Sequence, residues 1–205
     1  EYIYNPLNKK EIILKSKRSA KKIFTSNSKL KILNIGRFTD QKDQLTFLKS
    51  LNYIKGKIRF EACLIGRGIL KNKLEKYILD NKLNDFVKIL DFTENPYPLI
   101  KQSNLFILTS KYEGLPNVLL EALVLKKFII SSSCETGPKE ILLNGNGGLL
   151  FKVGNYKELA KKIIFYTMNK PKCKKLLNNS YKSLKRFDYK INLLKYFKLI
   201  NNFCD

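Results

Sequence analysis

The feature that most restricts the possible fold is a regular alternation of short apolar runs with longer amphipathic runs. The short runs lie at residues 31–36, 59–66, 86–90, 104–109, 127–131 and 148–151. Between them, apolar residues recur at the spacing of an α-helix, as Leu45, Leu48 and Leu51 do. Strands that alternate with helices in this way form a parallel sheet covered by helices on both faces. The sequence therefore predicts an α/β fold of this kind.

Capping residues and prolines indicate where the helices begin. Asp40 is placed to cap the helix after the first strand, and Pro116 suits the first position of a later helix. In the C-terminal part, where the pattern is wholly helical, Asn155 begins a capping box, Pro171 suits a first turn and Asp188 is a further cap. We therefore expect this part to form a helical tail.

The chain of 205 residues carries a formal net charge of +23, which raises the question of an anionic partner. Almost all of this charge comes from lysine spread along the chain, and the abundance of Asn, Ile, Lys, Phe and Tyr fits a genome rich in A and T. No nucleic acid is expected as a partner, because no motif interleaves aromatic and basic residues. Biased composition and attraction to an anionic membrane surface remain as alternatives.

The cysteine spacing and the lack of histidine limit the metal sites and the kinds of catalysis that this chain can support. Cys63, Cys134, Cys173 and Cys204 form no C-x-x-C pair, and no histidine is present to complete a metal site, so free thiols are predicted. Catalysis without histidine must depend on carboxylates, lysines, dipoles or a partner domain. No apolar stretch is long enough to span a bilayer and the first residues resemble no signal peptide, so a cytoplasmic localisation is expected.

One carboxylate, Glu121, interrupts an otherwise apolar run at residues 116–126. On a helix, the apolar residues of this run surround the axis, so the helix should be buried. Asn117 lies one turn earlier on the same side, and helical side chains lean towards the N-terminus. We therefore expect Glu121 and Glu113 to face one small region. Either Glu121 forms a structural ion pair with a lysine or arginine, or both glutamates accept hydrogen bonds from ligand hydroxyls.

Basic residues and a helix start lie at the same expected edge of the sheet. Arg37 and Lys42 follow the first strand, where open α/β folds bind ligands, although each alone could be a solvated surface charge. The start of the helix that carries Glu121 offers free N–H groups to phosphate. Gly66 and Gly68 supply only part of a dinucleotide fingerprint. Sugar hydroxyls beside phosphate suggest a sugar nucleotide.

Taken together, these residues resemble those of the retaining glycosyltransferases of the GT-B fold. The resemblance extends from about residue 31 to about residue 162. It rests on segments 35–38 with Lys42, 64–68, 110–123, 136–140 and 146–151. Its most specific part is the E-x7-E spacing of Glu113 and Glu121 combined with Gly36, Arg37 and Lys42. The resemblance implies a Rossmann-like domain that is the C-terminal, donor-binding half of a GT-B fold.

The resemblance also implies a role for each matching residue. Arg37 and Lys42 would hold the donor diphosphate. Glu113 would contact the transferred sugar, and Glu121 would hold the ribose hydroxyls. Further residues expected along the diphosphate are Gly36, Gly114, Leu115, Asn117 and Val118. Residues expected near the base are Asp91, Phe92 and Thr93.

The implied reaction retains the anomeric configuration and transfers a hexose or N-acetylhexosamine, with UDP the expected nucleotide and no cofactor. No D-x-D motif occurs in the sequence, so a metal-independent reaction is predicted, with Arg37, Lys42 and backbone amides stabilising the leaving group. Glu113 would position the sugar rather than act as a nucleophile. A glycan or lipid-linked acceptor would be bound by a missing N-terminal domain, with possible peripheral contact to the inner face of a membrane.

The predicted organisation is a connector at residues 1–30, a nucleotide-sugar-binding domain at 31–170, and C-terminal helices at 171–205 that pack on this domain or towards the missing one. Asp43, Arg67 and Ile69 depart from the common pattern of the family, which leaves the loop geometry and the donor open. The alternatives are a related GT-B enzyme, such as a sugar-nucleotide epimerase or a glycan phosphorylase, and a non-catalytic nucleotide-binding or membrane-binding module.

Overall fold

A computed structural model describes residues 3–201 of the chain. Six strands form one sheet in the order β3-β2-β1-β4-β5-β6, and every neighbouring pair is parallel. The strands are β1 (Leu30–Ile35), β2 (Phe60–Ile65), β3 (Val87–Leu90), β4 (Leu105–Leu108), β5 (Phe128–Ser132) and β6 (Leu149–Phe151). All six coincide with the apolar runs of the sequence, so the predicted parallel sheet is confirmed.

The strand order creates a switch point in the middle of the sheet. The chain moves outward from β1 through β2 to β3, returns to place β4 beside β1, and then moves outward in the other direction to β6. The loops that follow β1 and β4 therefore leave the same edge of the sheet in opposite directions. Open α/β sheets bind ligands in the crevice that such loops leave between them.

Helices cover both faces of the sheet, as the alternation predicted. The helices are α1 (Lys9–Lys15), α2 (Gln44–Ile54), α3 (Lys71–Asp80), α4 (Tyr97–Gln102), α5 (Asn117–Val124), α6 (Pro138–Ile141), α7 (Tyr156–Met168), α8 (Lys170–Ser183) and α9 (Tyr189–Asn201). One apolar core lies between the sheet and α2, α3 and α7, and a second lies between the sheet and α1, α4 and α5. Neighbouring strand residues serve opposite cores, with Ile32 in the first and Leu33 in the second.

Two helix starts differ from the sequence-based expectation. The cap of α2 is Asp43, whose side chain accepts the N–H of Thr46, and not Asp40. Asp40 instead forms an ion pair with Lys111, and Asp43 adopts a left-handed conformation with φ 45°. Pro116 precedes α5 with an extended ψ of 98° and is not its first residue. These differences shift helix starts without changing the elements.

The terminal parts of the chain add packed structure to the sheet. The irregular segment expected at residues 1–30 contains α1, and Ile23 and Phe24 within it are buried in the second core. The predicted caps Asn155 and Asp188 are confirmed, since their side chains accept backbone N–H groups at the starts of α7 and α9. The proposed domain boundaries at residues 30 and 170 stay a prediction.

The sequence also led to predictions about the cysteines and about membrane-spanning segments. Cys63, Cys134 and Cys173 are buried free thiols, as predicted, while Cys204 lies outside the part that the structure describes. Within residues 3–201, no helix combines the length and the apolar character needed to cross a bilayer.

Candidate functional site

A cavity of about 440 Å³ lies at the carboxyl edge of the sheet, beside the switch point. This volume falls within the range of about 300–1,000 Å³ that is usual for small-molecule sites. Residues from five elements or the loops that follow them line it, among them Gly36, Arg37, Arg67, Phe92, Tyr97 and Glu121. The structure thus brings together residues to which the family resemblance gave roles at the diphosphate, the ribose and the base of a nucleotide.

Glu121 projects from α5 towards this cavity and is largely shielded from solvent. Its Oε1 accepts a hydrogen bond from the Tyr97 hydroxyl at 3.3 Å. Burial raises the pKa of Glu121, and the Tyr97 hydrogen bond only partly offsets this effect. Within residues 3–201 the carboxylate forms no ion pair, so the structural ion pair considered for it is not found. Glu121 therefore retains acceptor capacity that a ligand hydroxyl can use.

Tyr97 is a site residue that sequence reasoning missed. It belongs to the first turn of α4 and lines the cavity next to Glu121. Burial and the neighbouring Glu121 carboxylate raise the pKa of Tyr97 to about 12. The hydroxyl therefore stays protonated at neutral pH and acts as a donor. The Pro-Tyr-Pro sequence at residues 96–98, at the end of the loop after the third strand, was the signal that could have identified it.

Glu113 occupies a different environment from Glu121. Its Oε1 accepts hydrogen bonds from Lys42 Nζ and from Ser110 Oγ, both at 2.5 Å. The side chains of Glu113 and Lys42 are only 7% and 18% exposed. The main cavity is lined by Glu121 but not by Glu113, so the two carboxylates do not share it as expected. The ion pair that was considered for Glu121 thus occurs at Glu113.

The loops after β1 and β4 are tied together around this ion pair. The Lys111 N–H donates to the Gln41 carbonyl at 2.8 Å, and the Thr109 hydroxyl donates to the Lys42 carbonyl at the same distance. An exposed ion pair between Lys111 and Asp40 joins the same loops at 2.7 Å. Because these contacts fix the backbone at Gln41 and at Lys42 itself, Lys42 is held in reach of Glu113.

The other residues predicted at the diphosphate are distributed over neighbouring spaces. Asn117 lines a cavity of about 190 Å³ that also borders Tyr97 and Glu121. Gly114 and Leu115 line another, of about 210 Å³, together with residues 136 and 137. Lys42 and Val118 border none of these three cavities. The first N–H groups of α5 have no acceptor within the helix, which leaves them available to an anion.

The residues predicted near the base are only partly brought together. Phe92 and Thr93 line the main cavity, whereas Asp91 does not. Asp91 instead accepts a hydrogen bond from Lys71 at 2.6 Å. The guanidinium of Arg67 lies 4.9 Å from the centre of the Phe92 ring. Sequence reasoning noted Arg67 only as a departure from the family pattern, so its place in the cavity is new.

Among residues 3–201, no metal-binding cluster accompanies the cavity. In the part of the chain that the structure describes, no group of three or more Cys, Asp or Glu side chains is arranged to hold a metal ion. The cations that line or adjoin the site are side chains, namely Arg37, Arg67 and Lys42.

Gly137 sets the distance between two loops of the site, and its replacement by alanine is expected to destabilise the fold. A Cβ atom there would lie 1.8 Å from the Gly114 carbonyl oxygen, and the residue has φ 72°. The overlap and the left-handed backbone together should lower the free energy of unfolding by roughly 2–3 kcal/mol, measured by urea denaturation. Gly154→Ala is the matched control, because Gly154 has φ 74° but open space around it. Equal losses in both variants would remove the clash as the cause.

The sequence of this chain is similar to those of proteins named as glycosyltransferases. The sequence profile of the family described as glycosyl transferases group 1 matches residues 15–183. An uncharacterized glycosyltransferase of Methanocaldococcus jannaschii is 41% identical over 111 residues, which are 54% of this chain and 27% of the relative. An α-1,4-N-acetyl-D-galactosaminyltransferase of Campylobacter jejuni, named for an undecaprenol-linked acceptor, is 30% identical over 171 residues, 82% of this chain and 47% of the relative.

Solved structures share the fold. The crystal structure of Anabaena HepE in complex with UDP matches with a TM-score of 0.83 and 19% identity. The match covers 98% of this chain and 57% of the HepE chain. The chain thus spans about half of HepE and of the Campylobacter relative, and about a quarter of the archaeal one.

Proposed function

Because the chain belongs to the glycosyl transferases group 1 family, we propose that it binds the nucleotide-sugar donor of a retaining, metal-independent glycosyltransferase. The observation that carries the proposal is the cavity at the switch point. It combines Glu121, a shielded carboxylate that forms no ion pair within residues 3–201, with the guanidinium of Arg37. A polyol attached to a diphosphate supplies both the hydroxyl donors and the negative charge that these two groups complement.

The proposed placement of the nucleotide follows from the groups around the cavity. Ribose hydroxyls donate to Glu121, which Tyr97 orients through its hydrogen bond. The diphosphate is placed between Arg37 and the start of α5, since a guanidinium and free helix N–H groups both bind phosphate. The base extends towards Phe92 and Thr93 at the other end of the cavity.

Lys42 can serve the diphosphate without releasing Glu113. An ammonium group has three donors, and Glu113 uses one of them. The second carboxylate oxygen of Glu113 accepts none of the hydrogen bonds found in residues 3–201, so it can accept one from a sugar hydroxyl. With Lys42 and Ser110 on its other oxygen, Glu113 is a weakened nucleophile. This favours a positioning role for Glu113 in a reaction that retains the anomeric configuration.

The leaving nucleoside diphosphate needs cationic stabilisation as the sugar-phosphate bond breaks. Arg37, Lys42 and the N–H groups of Asn117 and Val118 would provide it in place of a metal ion. Glu113 and Glu121 would then divide the donor between them, with the sugar near Glu113 and the ribose near Glu121.

The finer identity of the substrates is also a proposal. UDP is the proposed nucleotide, supported by the UDP complex of the structurally similar HepE. A hexose or N-acetylhexosamine is the proposed sugar, and a glycan or lipid-linked molecule the proposed acceptor, supported by the name of the Campylobacter relative. Acceptor recognition is assigned to a second domain, because the chain spans about half of that relative. Attraction to an anionic membrane stays a prediction.

Calorimetric titration of the chain with UDP, GDP and ADP tests the proposal. We expect UDP to bind about tenfold more tightly than ADP, because the base is read within the cavity. The Kd for UDP should change by less than about twofold between EDTA and excess Mg²⁺, since side chains and amides supply the positive charge. Absence of binding by all three nucleotides would refute the donor site. A requirement for Mg²⁺ would refute only metal independence.

A further inference from the structure

Two loops form an exposed surface at one end of the main cavity. Arg67 lies in the loop after β2 and Phe92 in the loop after β3, and both line the cavity. The guanidinium carbon of Arg67 is 4.9 Å from the centre of the Phe92 ring, within the range of a cation–π contact. Phe92 is 55% exposed, and Arg67 forms no ion pair within residues 3–201. A large apolar ring and an unpaired cation thus face the same open space.

The surroundings hold both loops in place. The Phe38 N–H donates to the Arg67 carbonyl at 2.8 Å, and Gly68 packs so closely that an added Cβ would lie 2.5 Å from the Phe38 oxygen. Lys71 pairs with Asp91 and thereby joins the loop after β2 to the loop after β3. The cation that this end of the cavity presents next to Phe92 is therefore the Arg67 guanidinium. Asp91 is turned to Lys71, and the exposed Glu94 is the carboxylate that lines the cavity there.

The strand order fixes the distance of this surface from the anion-binding end. α5 follows β4, Arg37 follows β1, and Arg67 follows β2, so the three lie over successive strands. Strands are about 4.8 Å apart, which places the end of β2 about 10 Å from the end of β4. An extended nucleotide with its diphosphate at α5 and its ribose at Glu121 therefore directs its base towards Arg67 and Phe92.

We propose that Arg67 is a further donor-binding residue, whose guanidinium plane forms, together with the Phe92 ring that it contacts, the surface on which the nucleobase stacks. The proposal rests on the proposed function, since it assumes that a nucleotide occupies the cavity. Bases stack well on aromatic rings and on arginine planes, and an ammonium group cannot replace the plane. Arg67 thus contacts the base, whereas Arg37 contacts the diphosphate.

Titration of Arg67→Ala and Arg67→Lys with UDP, uridine and inorganic pyrophosphate tests whether Arg67 contacts the base and not the diphosphate. Both variants should bind UDP and uridine about tenfold more weakly than the unaltered chain, because both lose the planar stack. Their affinity for pyrophosphate should be unchanged. Arg18→Ala is the charge-matched control, since Arg18 is exposed and lines none of the site cavities, and it should bind all three ligands normally.

Two results would overturn the role of Arg67. Weaker binding of UDP and pyrophosphate with unchanged uridine binding would make Arg67 a phosphate ligand. Normal binding of all three ligands by Arg67→Ala would remove it from the site. Failure of the unaltered chain to bind any nucleotide would instead refute the proposed function itself, and the stacking surface with it. Far-UV circular dichroism of each variant confirms that the comparison is made between folded proteins.

Discussion

Glu121→Ala is expected to weaken UDP binding about 100-fold. A carboxylate that accepts two hydroxyl hydrogen bonds contributes roughly 3 kcal/mol, which corresponds to this factor. The effect should be specific to ligands that carry ribose hydroxyls, so the affinity for inorganic pyrophosphate should stay within about twofold because the α5 start is untouched. Calorimetry with both ligands measures this. Equal weakening of UDP and pyrophosphate would contradict the ribose assignment.

The same carboxylate is expected to destabilise the free protein. Burial raises the pKa of Glu121, so the folded state binds a proton more readily there than the unfolded state does. The contribution of this group to stability is therefore complete below its unfolded pKa and is lost as the pH rises through its raised folded pKa. Glu121→Gln removes that loss and should raise the free energy of unfolding at pH 7 by about 1 kcal/mol.

Urea denaturation at several pH values measures the increase in the free energy of unfolding that Glu121→Gln causes. It should disappear at a pH below the unfolded pKa of glutamate, where both side chains are neutral. Glu75→Gln is the control, because Glu75 is exposed on α3 and lies outside the cavity. A Glu121→Gln protein that is less stable than the unaltered chain at pH 7 would indicate that the carboxylate has a stabilising partner in the free protein.

Lys42→Met is expected to lower the free energy of unfolding by about 4 kcal/mol, because it leaves the shielded Glu113 carboxylate without its counter-charge. The Lys42 and Glu113 atoms are 2.5 Å apart, and both side chains are mostly buried. The double variant Lys42→Met/Glu113→Gln should recover most of the loss, since no uncompensated charge remains. Urea denaturation of the two single variants and the double variant forms a complete cycle.

A neighbouring ion pair supplies the matched control for Lys42. Lys111 and Asp40 join the same two loops at 2.7 Å, but their side chains are 41% and 84% exposed. Lys111→Met should therefore change the free energy of unfolding by less than about 1 kcal/mol. If Lys42→Met and Lys111→Met had equal effects, shielding from solvent would not be what makes the Lys42–Glu113 pair important.

Local patterns in the sequence were sufficient to predict the six strands and most of the helices, but not α1 in the segment expected to be a connector. Each strand is an apolar run, and β2, β4 and β5 are buried at every position, which gives such runs their strong signal. Helix starts were predicted less well. Asp40 was expected to cap α2, whereas Asp43, directly before its first residue, does so, and Asp40 pairs with the distant Lys111. A local pattern contains no information about such a partner.

The candidate site was predictable only in part, because its contacts also join residues that are far apart in the chain. Helical periodicity alone identified Glu121 as a lone carboxylate in a buried helix. Its hydrogen bond from Tyr97 spans 24 positions of the chain, and the Lys42–Glu113 pair spans 71. Both depend on how strands are ordered in the sheet. Spacing along one helix therefore suggested that Glu113 and Glu121 share one space, whereas the loops give Glu113 its own cation.

The pairing of β1 with β4 brings the two sides of the cavity together. The Asn34 side chain on β1 donates to the Ile107 carbonyl on β4, 73 residues away, and such closure of a long loop is slow and entropically costly. Until it occurs, Arg37 and Glu121 belong to separate, incomplete halves. A nucleotide that touches both residues binds only the state in which β1 and β4 are paired. Bound nucleotide would therefore favour the fully assembled sheet by mass action.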